Sequence, residues 1–247
     1  MKGTAAGPVV VARWGPNSTP SWSTSAFDPA FYEDYHVETT RAGVTDTVPF
    51  TVPGRANDAL TISAGLSTPQ FQRFAADVNV TVGKDIAYCE PSRANVFGLN
   101  TTVTWRPTEQ LRVEARYAHE RLVRERGGSR LSVANIPRLK AEYQIFRPIF
   151  VRFVGQYASQ EVDVLRDPVS DAPILIRDPD SDTYSPAGPT SVNDFQLDLL
   201  FSYRPTPGTV VFVGYGATLT ESKAFRFCDL ERVQDGFFVK LSYLFRS

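Results

Sequence analysis

A two-residue period in hydrophobicity, running through nine segments although blurred in 149–157 by Phe150 and Val154 and apolar on both faces in 210–220, constrains this chain more than any other feature of its sequence. From about residue 58 onward, Leu60, Ile62, Ala64 and Leu66 alternate with Thr61, Ser63 and Gly65. Leu111, Val113, Ala115 and Tyr117 alternate with Arg112, Glu114 and Arg116, and Leu139, Ala141, Tyr143 and Ile145 with Arg138, Lys140, Glu142 and Gln144. Successive side chains of a strand point to opposite faces, so each segment reads as a strand with one apolar face. The segments are 59–66, 73–82, 96–105, 111–117, 136–146, 149–157, 194–203, 210–220 and 237–246. Upstream, 8–14 and 35–48 add two more, for about nine to eleven strands. The chain thus divides into an N-terminal segment, 1–57, with one or two strands, and a run of strands, 58–247, reaching the C terminus.

Alternation alone also describes a soluble antiparallel sandwich. Two features favour a membrane-spanning barrel. The runs reach about ten residues, as a tilted transmembrane strand requires. Short reversals at 67–70, 106–110, 147–148 and 205–209 alternate with longer links at 83–95, 124–133, 158–192 and 221–235. Short turns on one side and long loops on the other are the habit of outer-membrane barrels. The predicted fold class is therefore all-β, the C-terminal portion of an antiparallel transmembrane β-barrel of a bacterial outer membrane, with outer-membrane lipid as its first partner. There is no run of about eighteen apolar residues that would cross a bilayer as a helix.

The triplet aromatic-Arg-Pro occurs as Trp105-Arg106-Pro107, Phe146-Arg147-Pro148 and Tyr203-Arg204-Pro205, and the chain ends with Phe245-Arg246. An aromatic ring at a strand end suits the headgroup level, Arg the polar side, and Pro a turn where no ladder N–H is wanted. The four aromatic-Arg pairs are expected at one end of the sheet. Leu111, Val113, Leu197, Leu199, Leu241 and Tyr243 are expected on the outer surface, clear of any protein core.

With 26 basic and 27 acidic residues, the net charge of -1 removes the electrostatic case for a nucleic-acid binder. Two cysteines and two histidines, none in C-x-x-C spacing, do not supply a structural zinc site. No catalytic, cofactor-binding or metal-binding residue is assigned, and no cofactor is expected. His119 shares the apolar parity of Tyr117, but no Ser or acid is fixed beside it; it reads as an interfacial polar residue rather than a catalytic base. His36 lies in a loop-like stretch. Asp178, Asp180 and Asp182 could gather a cation but lack the Gly and bidentate Glu of a calcium loop, so a solvated acidic loop is the simpler reading. Cys89 and Cys228 both fall in outer links, and a bridge or two free thiols are equally open.

The stretches "IPRLKAEYQIFRPIFVRFVGQY", "NDFQLDLLFSYRPTPGTVVFVGYG" and "DGFFVKLSYLFRS" resemble the C-terminal barrel region of the bacterial domain of unknown function 5916 family, over roughly residues 96–247. Proteins of that family often carry a family-9-type carbohydrate-binding domain ahead of the barrel. The resemblance implies a non-enzymatic outer-membrane protein that binds or transports saccharide-like material. Residues 1–16 lack a secretory signal and no binding domain precedes the strands, so the chain is expected to be the C-terminal part of a longer one. The competing readings are a soluble β-sandwich or lectin-like module and an outer-membrane hydrolase.

Register between the segments at 111–117 and 136–146 is also open to argument. A link centred near Gly128-Ser129, with charges of opposite sign facing each other, predicts Arg116 opposite Glu142 and Glu120 opposite Arg138.

Overall fold

The alternating segments do form strands, and nearly all pair with their sequence neighbours. The computed structural model describes residues 14–41, 43–69, 71–181, 183–206 and 208–243. In chain order the strands are β1 (Gly15–Ala26), β2 (Tyr35–Arg41), β3 (Val44–Pro49), β4 (Arg55–Ser67), β5 (Phe74–Ala87), β6 (Ser92–Trp105) and β7 (Leu111–Arg124). They continue as β8 (Arg130–Phe146), β9 (Ile149–Val162), β10 (Ile174–Arg177), β11 (Tyr184–Pro186), β12 (Thr190–Thr206), β13 (Thr209–Thr220) and β14 (Glu231–Tyr243). The one helical element among the described residues is a 3-10 turn, Pro29–Tyr32, capped by Asp28, which accepts from the Ala30 amide at 3.0 Å.

Ten strands make one antiparallel sheet in the order β1-β4-β5-β6-β7-β8-β9-β12-β13-β14; the other four make a small sheet, β11-β10-β2-β3. The fold is all-β and antiparallel, as the alternation predicts. Among the described residues β1 and β14 remain edges, and no sheet closes on itself.

Register keeps the two faces chemically distinct. One row across eight strands reads Phe74, Trp105, Val113, Ala141, Phe153, Leu199, Tyr215 and Phe237. On the opposite face another reads Asp77, Thr102, Arg116, Arg138, Gln156, Gln196, Thr218 and Gln234. A slip of one residue would exchange these faces. The apolar row crosses β6 at Trp105, its last residue, yet meets β14 at Phe237, well before Tyr243. The ladder is therefore staggered, as in sheets whose strands tilt.

Several expectations need correction. The β7–β8 register sets Arg112 opposite Glu142, Glu114 opposite Lys140 and Arg116 opposite Arg138, not Arg116 opposite Glu142 or Glu120 opposite Arg138; Glu120 faces Ala134. The link is tighter than assumed, Arg124 N donates to Ser129 O, and the register shifts between Leu122 and Val123. Leu131, left over in that bulge, is fully buried in the core. Cross-strand complementarity still holds for two of the three charged pairs. The like pair is relieved along the strand, where Glu114 takes Arg116 at 2.7 Å and Arg112 at 3.4 Å.

The links expected at 83–95 and 124–133 shrink to 88–91 and 125–129, because polar residues such as Lys84, Asp85 and Arg93 continue the ladder past the apolar band. The strand β1 has no alternation to reveal it. Its Pro16 and Pro20 sit at a sheet edge, where a missing N–H breaks no ladder bond. Residues 8–13 lie outside the described residues, and Trp14 is not in a strand. The 35–48 stretch is a hairpin, β2–β3, and belongs to the small sheet rather than the large one.

The aromatic-Arg positions 105–106, 146–147 and 203–204 lie at one end, because β6, β8 and β12 run in the same direction. Phe245 and Arg246 lie outside the described residues.

The buried core is not between two sheets. It gathers at the opposite end, where Phe27, Tyr32, Phe50, Leu165, Ile174 and Ala187 of the long links pack on Ala59, Ala87, Ala94 and Leu131 from the strand ends. The 27–54 and 163–189 links thus fold into a cap carrying the small sheet.

Candidate functional site

Beneath the cap, Arg124 and Glu90 form a buried ion pair. Nε of Arg124 meets both Glu90 carboxylate oxygens and Nη2 meets Oε1, the closest contact being 2.5 Å. The same guanidinium donates to Ser129 Oγ at 3.0 Å and to the carbonyls of Arg130 and Val164 at 2.8 and 2.7 Å. Glu90 also accepts from the Arg166 amide at 2.7 Å. Three separate links therefore meet on one charge pair whose hydrogen-bonding capacity is fully used, the condition for burying charge at tolerable cost.

This pair floors a pocket of about 360 Å³, walled by Arg93, Glu125, Arg126, Arg166, Asp167 and Asp171. Its charges cancel: four arginines face four carboxylates. Glu125 takes Lys84 and, at 3.1 Å, Arg93. Arg166 takes Asp171 at 3.5 Å, and Arg126 donates to the Val169 carbonyl. The Lys84 hydrogen bond, joined by the charges of Arg93 and Lys84, outweighs partial burial and holds the Glu125 carboxyl below the usual carboxylate range. The pocket offers fixed donors and acceptors side by side with little net field.

The residues singled out by sequence lie apart from it. His119 Nδ1 is 2.8 Å from Asn135 Oδ1, which also accepts from Tyr117 Oη at 2.9 Å. Ser159 lies opposite Asn135 on the next strand and Asn193 on the one after, giving a polar row, His119, Asn135, Ser159 and Asn193, across the apolar face. Two strand spacings separate His119 from Ser159, roughly 9–10 Å, against the ~3 Å that proton transfer requires. No nucleophile-base pair is assembled there.

Beside this row the 221–230 link folds onto the sheet. Tyr157 Oη donates to the Glu221 carboxylate and accepts from the Phe225 amide at 2.9 Å, while the Phe227 amide donates to Glu221 at 2.9 Å. The buried side-chain oxygen of Asn193 has no hydrogen-bond partner among the described residues.

His36 lies on β2, its Nδ1 3.1 Å from the Asp34 carbonyl and its ring against Tyr184. Asp178 turns inward on its own loop, accepting from the Asp180 amide at 2.9 Å and Ser181 Oγ at 2.7 Å; Asp182 lies outside the described residues. The described residues contain no cluster of side chains suited to a metal. Cys89 and Cys228 are both free. Burial raises the Cys89 thiol pKa, with Glu90 adding to it.

Sequence reasoning missed Glu90, Arg124, Arg93, Glu125, Arg166 and Asp171, because no local motif marks them; three links bring them together. The chain matches no protein-family model and no curated protein.

Proposed function

We propose that this chain is the membrane-spanning part of a bacterial outer-membrane β-barrel, non-enzymatic, whose capped end binds or admits uncharged saccharide-like material. One observation carries the membrane reading: most of the apolar face of the large sheet is exposed, with no second sheet over it. Ile62 is 49 %, Phe97 43 %, Leu139 44 % and Leu241 67 % exposed, on strands from one side of the sheet to the other, whereas contiguous exposed apolar surface in a soluble monomer is limited. A soluble sandwich, the main competitor, would bury this face between sheets, whereas the small sheet packs at one end only. The staggered register and the single-ended aromatic belt also fit tilted strands in a bilayer.

In this reading the edges of β1 and β14 are joined, either to each other or through strands of a longer chain of the domain of unknown function 5916 type. The polar face then lines the interior, where ion pairs such as Arg116–Glu114 and Lys140–Glu142 sit.

The saccharide reading rests on the charge-balanced pocket. A fixed array of paired guanidinium and carboxylate groups matches hydroxyl groups, which both donate and accept, better than it matches an anion. Calorimetry with neutral and phosphorylated oligosaccharides tests it: neutral sugars bind and Arg93→Ala weakens them, whereas preference for the phosphorylated sugar counts against it. Carbonate washing of cell membranes tests location. The protein stays with the outer-membrane pellet if embedded and is released if it is a soluble module. The hydrolase alternative is disfavoured by the distance from His119 to Ser159.

A further inference from the structure

The rim of short turns carries four arginines whose side chains are unpaired among the described residues. Arg73, Arg106, Arg147 and Arg204 are exposed, and among the described residues none of their side chains has an ion pair or hydrogen bond, whereas the polar-face arginines Arg112 and Arg116 pair with Glu114. The turns contain one carboxylate, Glu109, against these four arginines. Each lies next to or near an exposed ring: Phe74 at 41 %, Trp105 at 52 %, Phe146 at 66 % and Tyr203 at 39 %.

The far end has the opposite charge. The links 27–54, 88–91, 125–129, 163–189 and 221–230 hold 15 Asp or Glu against 6 Lys or Arg, whereas cations outnumber carboxylates in the turns. Unpaired guanidiniums at the level of an aromatic belt have one complementary neighbour in a bilayer, the phosphates of the lipid headgroups, which they can hold by two parallel hydrogen bonds.

We propose that this rim is a binding surface for anionic phospholipid headgroups, selecting phosphatidylglycerol-like lipid over zwitterionic lipid at the turn-side leaflet. The proposal rests on the membrane reading and names the lipid partner of that surface. Exposed rings anchor at the interface, and the arginines beside them set which headgroup stays.

Trp105 next to Arg106 provides the test. The full chain, with Trp14→Phe and Trp22→Phe, is reconstituted in phosphatidylcholine vesicles containing brominated phosphatidylcholine or brominated phosphatidylglycerol at equal fraction. Brominated phosphatidylglycerol should quench Trp105 more strongly. Arg106→Gln, Arg147→Gln and Arg204→Gln should each lower relative association about fivefold, as expected for a cation near an anionic surface. The Arg→Lys variants should retain most of the preference, and raising the salt should weaken it. Equal quenching by the two lipids, or a preference that survives the triple Gln variant, overturns the proposal while leaving the membrane reading intact. Loss of the preference on adding inorganic phosphate at constant ionic strength would also overturn it, pointing to a free-anion site. Quenching by neither lipid would instead defeat the membrane reading itself.

Discussion

Arg124 and Glu90, 34 residues apart, hold each other in a buried two-point contact on which three links converge. Removing one partner would leave the other as an unpaired buried charge. Glu90→Ala is expected to destabilise the cap by about 3–5 kcal/mol. Limited proteolysis reads this out: cleavage moves into 163–189 while the ladder from β4 to β9 stays protected.

The apolar and polar faces should respond oppositely to charge. Leu199→Arg, near the middle of the apolar face, should cost about 2–4 kcal/mol in bilayer-folded protein. Asp198→Asn, on the other face, should cost about 0.5 kcal/mol or less. Urea unfolding in phospholipid vesicles compares the two, and equal costs would contradict the assignment of faces.

The β7–β8 register is open to direct chemistry. In a Cys89→Ser, Cys228→Ser background, Arg116→Cys with Arg138→Cys should cross-link under mild oxidation. Directly opposed Cα atoms lie about 4.5–5.5 Å apart, within disulfide reach. Arg116→Cys with Glu142→Cys should not, since Glu142 is displaced along β8 by roughly 13 Å.

Strand parity was legible from sequence because it follows from side-chain period and burial alone. The ends and registers were less so. The bulge at Leu131 depends on a core built from distant links, and β1, rich in Ser, Thr and Pro, takes its place from pairing with β4 rather than from any pattern of its own. The pocket was invisible for the same reason: Glu90, Arg124 and Arg166 are ordinary charged residues until 88–91, 125–129 and 163–189 converge. The triplets were readable because each ends a strand of one direction.

The lowered pKa of Glu125 gives the pocket a pH dependence of definite sign. A depressed carboxylate contributes stability above its unfolded value and loses it as pH falls through the folded one. The contacts of Glu125 with Lys84 and Arg93 are therefore complete at neutral pH and lost below the usual carboxylate range. Lys84→Met should move that loss to higher pH, as monitored by protection of the 125–129 link from protease.

Thiol chemistry should separate the two cysteines. Cys228 is exposed, while Cys89 is partly buried with its pKa raised by desolvation, so fewer thiolates form there at neutral pH. Alkylation of the folded protein should modify Cys228 first, and Cys89 at a comparable rate only after the cap is opened, as in Glu90→Ala.

The membrane-embedded apolar face is tested most directly by scanning β12 one residue at a time. Single cysteines at 196–201, in the Cys89→Ser, Cys228→Ser background, carry a polarity-sensitive fluorophore in vesicle-reconstituted protein. Probes at 197, 199 and 201 should be quenched by a lipid-chain nitroxide, and those at 196, 198 and 200 should not. Uniform aqueous exposure at all six positions, with the protein failing to float with the vesicles, would contradict the account.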